Sequence, residues 1–522
     1  MDEPQPLLSS ETRVDKPSWL WARWVFLRIM ALGFITGFMS LSGQIQGLIG
    51  PHGILPAADY LSALRQTRPL WACFLEVPSL LWWNAGSQAL TWLCVTGTLA
   101  GLLWFFNVLP RMMIFICWAC YLSFVSAARN FSGFQSDGLM LETALLAFFC
   151  APAGFRPGLG EDSPPSRFSL LMLNWLLFRL MFESGLVKFL GGDRSWRDGT
   201  AMDHYYENCP FPTWIGYYAQ HLPAAVHKVT SWFTLGLELA APFLIFMGQR
   251  PRRLLFFFWT VFQTGILLTA NYTFLNFTAI ALGMFLLDDV FFKKQLRLFV
   301  PPLPENRRRF QTGRVFSGAI LGYVFYVTLI YFLGLFLPRQ KMPRALAVPV
   351  SVTDAFRSAN RYGLFGSMTD RRDEVFFEGS NDWGQTWKRY EFKWQPQELN
   401  RKPRFMAPHL PRFDWNLWFA ALGDFRQYSF VVMAGVRLIE GEPSVIKLFA
   451  RNPFPEKPPQ MIRFPLERYR FTDLKTFHQT GNYWTREEAG YYAPFLIRNP
   501  ETEKLTLIAM DAVPEGFRQP AA

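Results

Sequence analysis

Apolar residues fill most of the chain up to about residue 337, in successive runs broken by short polar stretches. Nine of these runs are expected to cross a membrane as helices, near 23–42, 87–107, 111–128, 138–151, 168–190, 229–248, 253–270, 274–292 and 315–337. A bilayer core of about 30 Å takes roughly 20 helical residues. The 138–151 run is short by that measure, so its ends need polar partners in the protein or at the interface. Residues 1–18 are polar and proline-bearing, and they lack the cleavage pattern of a signal peptide. They are expected to form a disordered lead to a helical membrane domain at 19–340.

Beyond Pro338 the pattern changes to alternation and amphipathic spacing, as in a soluble α+β or β-rich domain over 350–522. Glu374–Glu378 and Thr386–Trp394 read as two strands around the turn Gly379-Ser380-Asn381-Asp382-Trp383-Gly384. Lys388, Tyr390, Phe392 and Trp394 alternate with Arg389, Glu391 and Lys393, so one strand face is expected to be buried. Asp414 is placed to cap a helix carrying Trp415, Trp418, Phe419 and Leu422 on one stripe and closed by Gly423. Helical spacing follows near 427–440 and 443–451. Tyr469–Phe471, Tyr491–Ile497 and Leu505–Met510 read as strands.

Composition adds a direction to this plan. Half the residues are apolar, and the net charge is +12. The basic residues stand beside apolar runs, at Arg250–Arg253, Lys293–Arg297 and Arg307–Arg309, which suits membrane orientation and argues against nucleic acid as a partner. Nine crossings with a cytoplasmic N-terminus put Arg111, Arg156, Arg167 and these clusters on one side, as the positive-inside rule requires. The loop at 191–228 and the C-terminal domain then lie on the exoplasmic side.

The richest stretch for chemistry runs from Arg167 to Trp214. Arg179 and Glu183 are four residues apart on one helix and are expected to neutralise each other inside the membrane, with Glu142 as an alternative partner for Arg179. Lys188, at the outer helix end before Gly191-Gly192, is a candidate base if it is desolvated. Snorkelling to the interface is the simpler account. Asp203, His204 and Glu207 are weak metal candidates, for which hydrogen bonding in a crowded loop is preferred. Cys117-Trp-Ala-Cys120 lies in an apolar run and is expected to be core packing. Cys73 and Cys209 fall in loops on the same side and could form a bridge. The sequons at Asn130, Asn271 and Asn276 hug the membrane. Trp196, Arg197, Asp203, Tyr205, Tyr206, Trp214, Trp383, Trp415 and Trp418 are candidate client-binding or structural positions, because aromatic side chains are favoured at interfaces. No cofactor motif is found.

The run GLVKFLGGDRSWRDGTAMDHYYENCPFPTWIGYYAQHLP resembles the lipase maturation factor family of multi-pass membrane proteins. NFSGFQSDGLMLETALLAFFCAP, ANYTFLNFTAIALGMFLLDD, RYGLFGSMTDRRDEVFFEGSNDWGQTWKRYEFKW and PRFDWNLWFAAL resemble it in the same order. The resemblance implies a non-enzymatic factor that helps secreted proteins such as lipases to mature, working on the lumenal side of the endoplasmic reticulum membrane. In a bacterium the corresponding place would be the cytoplasmic membrane. Gly-x-x-Lys followed by Trp is faintly similar to the membrane part of vitamin K-dependent carboxylases. That similarity makes a membrane enzyme with Lys188 as base the alternative.

Overall fold

A computed structural model describes residues 18–303, 311–336, 346, 349–350, 353–499 and 502–508. The bundle begins with α1 (Leu20–Ser42), followed by α2 (Ala57–Thr67), α3 (Leu70–Glu76), α4 (Ser87–Phe105) and α5 (Pro110–Ala127). Next come α6 (Gln135–Cys150), α7 (Arg167–Leu190), α8 (Ala201–Asn208), α9 (Trp214–Gln220), α10 (Ala224–Leu239) and α11 (Gln249–Thr269). The membrane part ends with α12 (Phe274–Gly283), α13 (Asp289–Gln295) and α14 (Gln311–Leu333). Apolar helices gain little from the hydrophobic effect when they meet inside lipid, so close packing through small residues decides which pairs form. α1 and α4 show this. A Cβ added to Gly97 would lie 2.4 Å from the Phe38 ring, and one on Gly101 would lie 2.8 Å from Ile35.

Among the described residues six helices are long and apolar enough to cross a membrane, or seven if the pair Phe274–Leu286 and Asp289–Gln295, bent by 87°, is one span. Two of the nine expected crossings fall outside that set. α6 has only 16 residues and is enclosed by its neighbours, so its Asp137 and Glu142 are fully buried. α11 opens with Arg250, Arg252 and Arg253, which dilute its apolar character. The sixth expected crossing starts earlier than read, at Ala224, immediately after Pro223.

The helix ends sort onto two faces. On one, the Asp289 carboxylate accepts the Leu20 and Trp21 N–H groups at 2.8 and 2.9 Å, holding the start of α1. On the same face Arg23 donates to the carbonyls of Leu159, Gly160 and Ser163. On the other face, at the far end of α1, Ser40 Oγ accepts the Leu410 N–H and Gln44 Oε1 accepts the Arg412 N–H. The C-terminal module therefore stands on the face opposite the start of α1.

That module is an antiparallel sheet with helices. β1 (Arg372–Val375), β2 (Glu378–Ser380), β3 (Lys388–Arg389), β4 (Met461–Phe471), β5 (Trp484–Arg498) and β6 (Leu505–Ile508) are ordered β3-β2-β4-β5-β6, with β1 also paired to β4. The turn read between the first two expected strands joins β2 to β3, and Tyr390 and Phe392 are buried as expected, whereas Lys388 of the same expected face is exposed and Trp394 half-buried. The expected strand Glu374–Glu378 is divided between β1 and β2, and of Thr386–Trp394 only Lys388–Arg389 pairs as a strand. Among the described residues α15 (Arg412–Ala421), α16 (Phe430–Ile439) and α17 (Leu474–Thr480) accompany the sheet, with one further helical turn at Pro443–Ile446, shorter than the 443–451 expected. Asp414 is not a cap. The helix already starts at Arg412, and Asp414 lies buried in its first turn, accepting the Trp394 N–H at 2.9 Å. Leu422 leaves the expected stripe and is exposed, because the helix ends before it. Met510 lies outside the described residues. One contiguous apolar core runs from Ala22 of α1 to Leu496 of β5, so bundle and sheet share their interior.

Candidate functional site

Where the two halves meet, four groups of buried charge are joined across long sequence distances. Arg412 enters from α15 and grips Asp137 of α6 with two hydrogen bonds of 2.8 and 2.9 Å. Its guanidinium also donates to the carbonyl of Phe131 and to the Tyr121 hydroxyl, which in turn donates to Asp137 at 2.6 Å. A bidentate pair whose two terminal guanidinium nitrogens each hold a second acceptor is an arrangement that makes buried charge tolerable.

The second group corrects the expected Arg179–Glu183 pair. Arg179 is paired with Glu142 of α6, the alternative partner, and donates to the carbonyl of Asn360 at 2.9 Å. One oxygen of Glu142 accepts from the Asn360 backbone and from the Tyr362 hydroxyl, at 2.9 and 2.8 Å. Glu183 instead accepts the Tyr362 N–H at 2.8 Å. The segment around 360–362 is thus pinned by acids of two membrane helices.

Lys188 does not snorkel. It is 2% exposed and donates to Glu238 of α10 at 2.6 Å, with the Trp196 ring centred 5.1 Å away. Trp196 is buried and donates to the carbonyl of Phe365 at 2.8 Å. The cavity that reaches Glu238, beside Ser184, Gln263 and Asn276, measures about 30 Å³. That is the room of one water molecule, too little for a lipid-soluble cofactor.

The fourth group binds the 191–228 loop to the sheet. Arg372 of β1 donates to the carbonyls of Glu207, Cys209 and Pro210 and pairs with Glu374 at 2.6 Å. Burial pushes the Glu374 carboxyl upward and the Cys209 thiol to about 12. The Asp203, His204 and Glu207 side chains do not converge. Asp203 contacts His227 at 2.8 Å, and Glu207 accepts the Phe471 N–H at 2.6 Å. Among the described residues no three His, Cys, Asp or Glu side chains are arranged to hold a metal. Cys73 and Cys209 are both free and buried, each turned to nearby carbonyls, so the suggested bridge is absent. Asn271 is likewise buried, donating to the carbonyls of Phe211 and Arg404.

Most aromatic candidates serve packing. Trp196, Tyr205, Tyr206 and Trp415 are buried, Trp214 and Trp418 are half-buried, and Trp418 donates to the carbonyl of Asn208. Arg197 and Trp383 are exposed. Arg372 and Arg412, which lock the halves together, were not singled out in the sequence. An arginine just before an aromatic amphipathic helix was the available signal for Arg412.

Residues 21–294 match the lipase maturation factor transmembrane domain, and residues 358–494 match the lipase maturation factor C-terminal domain. The chain belongs to the lipase maturation factor family. It is 29% identical to human lipase maturation factor 1 over 91% of this chain and 88% of that protein. It is also 29% identical to human lipase maturation factor 2, over 92% of this chain and 84% of that protein. No solved structure matches. The chain is thus a multi-pass membrane protein. In this lipase maturation factor relative, the seam joins the two matched regions: Asp137, Glu142, Arg179 and Glu183 lie in the first, Tyr362, Arg372 and Arg412 in the second.

Proposed function

We propose that this chain is a membrane-anchored maturation factor that assists folding or assembly of secreted proteins, lipases foremost, on the exoplasmic side. It uses no cofactor and performs no covalent chemistry. The observation that carries the reading is the fusion of bundle, 191–228 loop and sheet into one body on the face opposite the start of α1. Basic residues gather at that opposite start, around Arg111, Arg252, Arg253, Lys293 and Lys294, which supports a cytoplasmic N-terminus. Nine crossings reconcile the two faces, with the short α6 enclosed by its neighbours and α11 presenting Leu254, Phe257 and Val261 on an open apolar side. The membrane is the endoplasmic reticulum in a eukaryote and the cytoplasmic membrane in a bacterium.

The surface offered to a client is mainly polar. A groove of about 850 Å³ on the outer module is lined by Arg389, Arg463, Glu378, Glu467, Glu487 and Glu488. Arg389 is fixed between Glu378 and Glu467, so charge of both signs is held in place. Lys188 as a catalytic base finds no support in its close pairing with Glu238 or in the one-water cavity beside that pair.

The reading is tested by expressing the full chain with a lipase in cells lacking their own maturation factors. Active secreted lipase should rise severalfold. The E487K/E488K variant, at equal membrane level and unchanged Tm, should lose most of that gain. No rise in active lipase with the wild-type chain would overturn the lipase reading.

A further inference from the structure

Between α1 and α4 lies an arm formed by α2, α3 and a 3-10 turn at Leu80–Trp82. Its inner side is tied to the bundle: Ser79 Oγ donates to the Ser123 carbonyl, and the Leu80 N–H donates to Ser123 Oγ, both at 2.9 Å. Ser123 stands one turn before the end of α5 at Ala127, so the arm reaches ~6 Å inside that helix end. Its outer side is apolar and open. Leu70 is 50% exposed, Trp71 69%, Leu75 46%, Leu80 41% and Trp83 75%. Four residues after Trp83 the chain enters α4, one of the helices long and apolar enough to cross a membrane, whose Trp92 and Leu99 are exposed on the outside of the bundle.

Five large apolar side chains together in water would be costly, and tryptophan favours the boundary between lipid and water. Beside Trp71 and Leu75 runs a groove of about 890 Å³ lined by Arg68, Arg357 and Arg361 together with Glu76 and Asp354. Arg68 is paired with Glu76, so three cations against two acids leave the groove a net positive charge. Cations next to an apolar face at the level of a helix end match the order of a lipid, with acyl chains below and phosphate above.

We propose that this arm is an interfacial anchor seated in the bilayer, with Trp71 and Trp83 at the boundary and the arginines facing phospholipid headgroups. Continuity with the outer apolar surface of α4 and the depth of the Ser123 contact single out lipid as the occupant. That the leaflet is the exoplasmic one rests on the proposed orientation; the anchoring does not.

The test uses the full chain in phosphatidylcholine nanodiscs, carrying an environment-sensitive fluorophore at W71C or W83C, with L75C as a second position. The six native cysteines are buried, which keeps background labelling low. W383C on the outer module is the water-exposed control. The inference expects strong quenching by shallow spin-labelled phosphatidylcholine, weaker quenching by the deep-labelled lipid, and iodide quenching severalfold below the control. Iodide quenching equal to the control, with no lipid quenching, would overturn it and mark the arm as a surface for soluble partners. Because the lipid quencher is present in both leaflets, an inverted orientation would leave the expected result unchanged.

Discussion

Arg412 and Asp137 show what a single side chain does here. Arg412→Ala leaves a buried carboxylate without its partner, which costs about 3–5 kcal/mol. Its Tm in nanodiscs should fall well below wild type, and R412M/D137L should recover most of the loss. Asp414 gives a pH signature. Burial raises its carboxyl to about 7, against outweighed backbone donation from Trp394 and Gln395. The folded protein then holds this proton after the unfolded chain has lost it. The contribution of Asp414 to stability is intact below about pH 4 and is lost as pH rises through about 7. Asp414→Asn should flatten that decline, by up to ~4 kcal/mol at neutral pH, read as Tm against pH. These partners were not legible in sequence. Arg179 has Glu183 one turn away, yet it pairs with Glu142 on another helix, and only tertiary packing brings that residue close.

Helices announced themselves through apolar length, and strands did so less well. β4 begins at Met461, but only its last residues were read, because Pro465 interrupts it and its register with β5 shifts there. Both faces of its first half are buried, so the alternation that marks a strand is absent. The 191–228 aromatics were legible as a fixed cluster but not as interior, since burial in that loop depends on β1 and α15 arriving from far along the chain. At this scale the close crossing of α1 and α4 is the sharpest test. Gly97→Val should weaken it by several kcal/mol through overlap with Phe38. Combining it with Phe38→Ala should return part of the loss, measured by thermal unfolding.

At the scale of the whole molecule, an apolar bundle followed by a polar half was plain from composition. That the halves share one core was not. Residues 350–522 expressed alone should expose Phe413, Leu417 and the partners of the 191–228 loop, and should elute as aggregate without cooperative unfolding. The account stands most directly on which side of the membrane that half occupies. Thr485 is exposed on β5 and Arg250 is exposed at the start of α11, on the opposite face. In sealed vesicles an impermeant maleimide applied from the exoplasmic side should modify T485C at once and R250C only after the membrane is opened. Modification of R250C from that side, with T485C protected, would contradict the account.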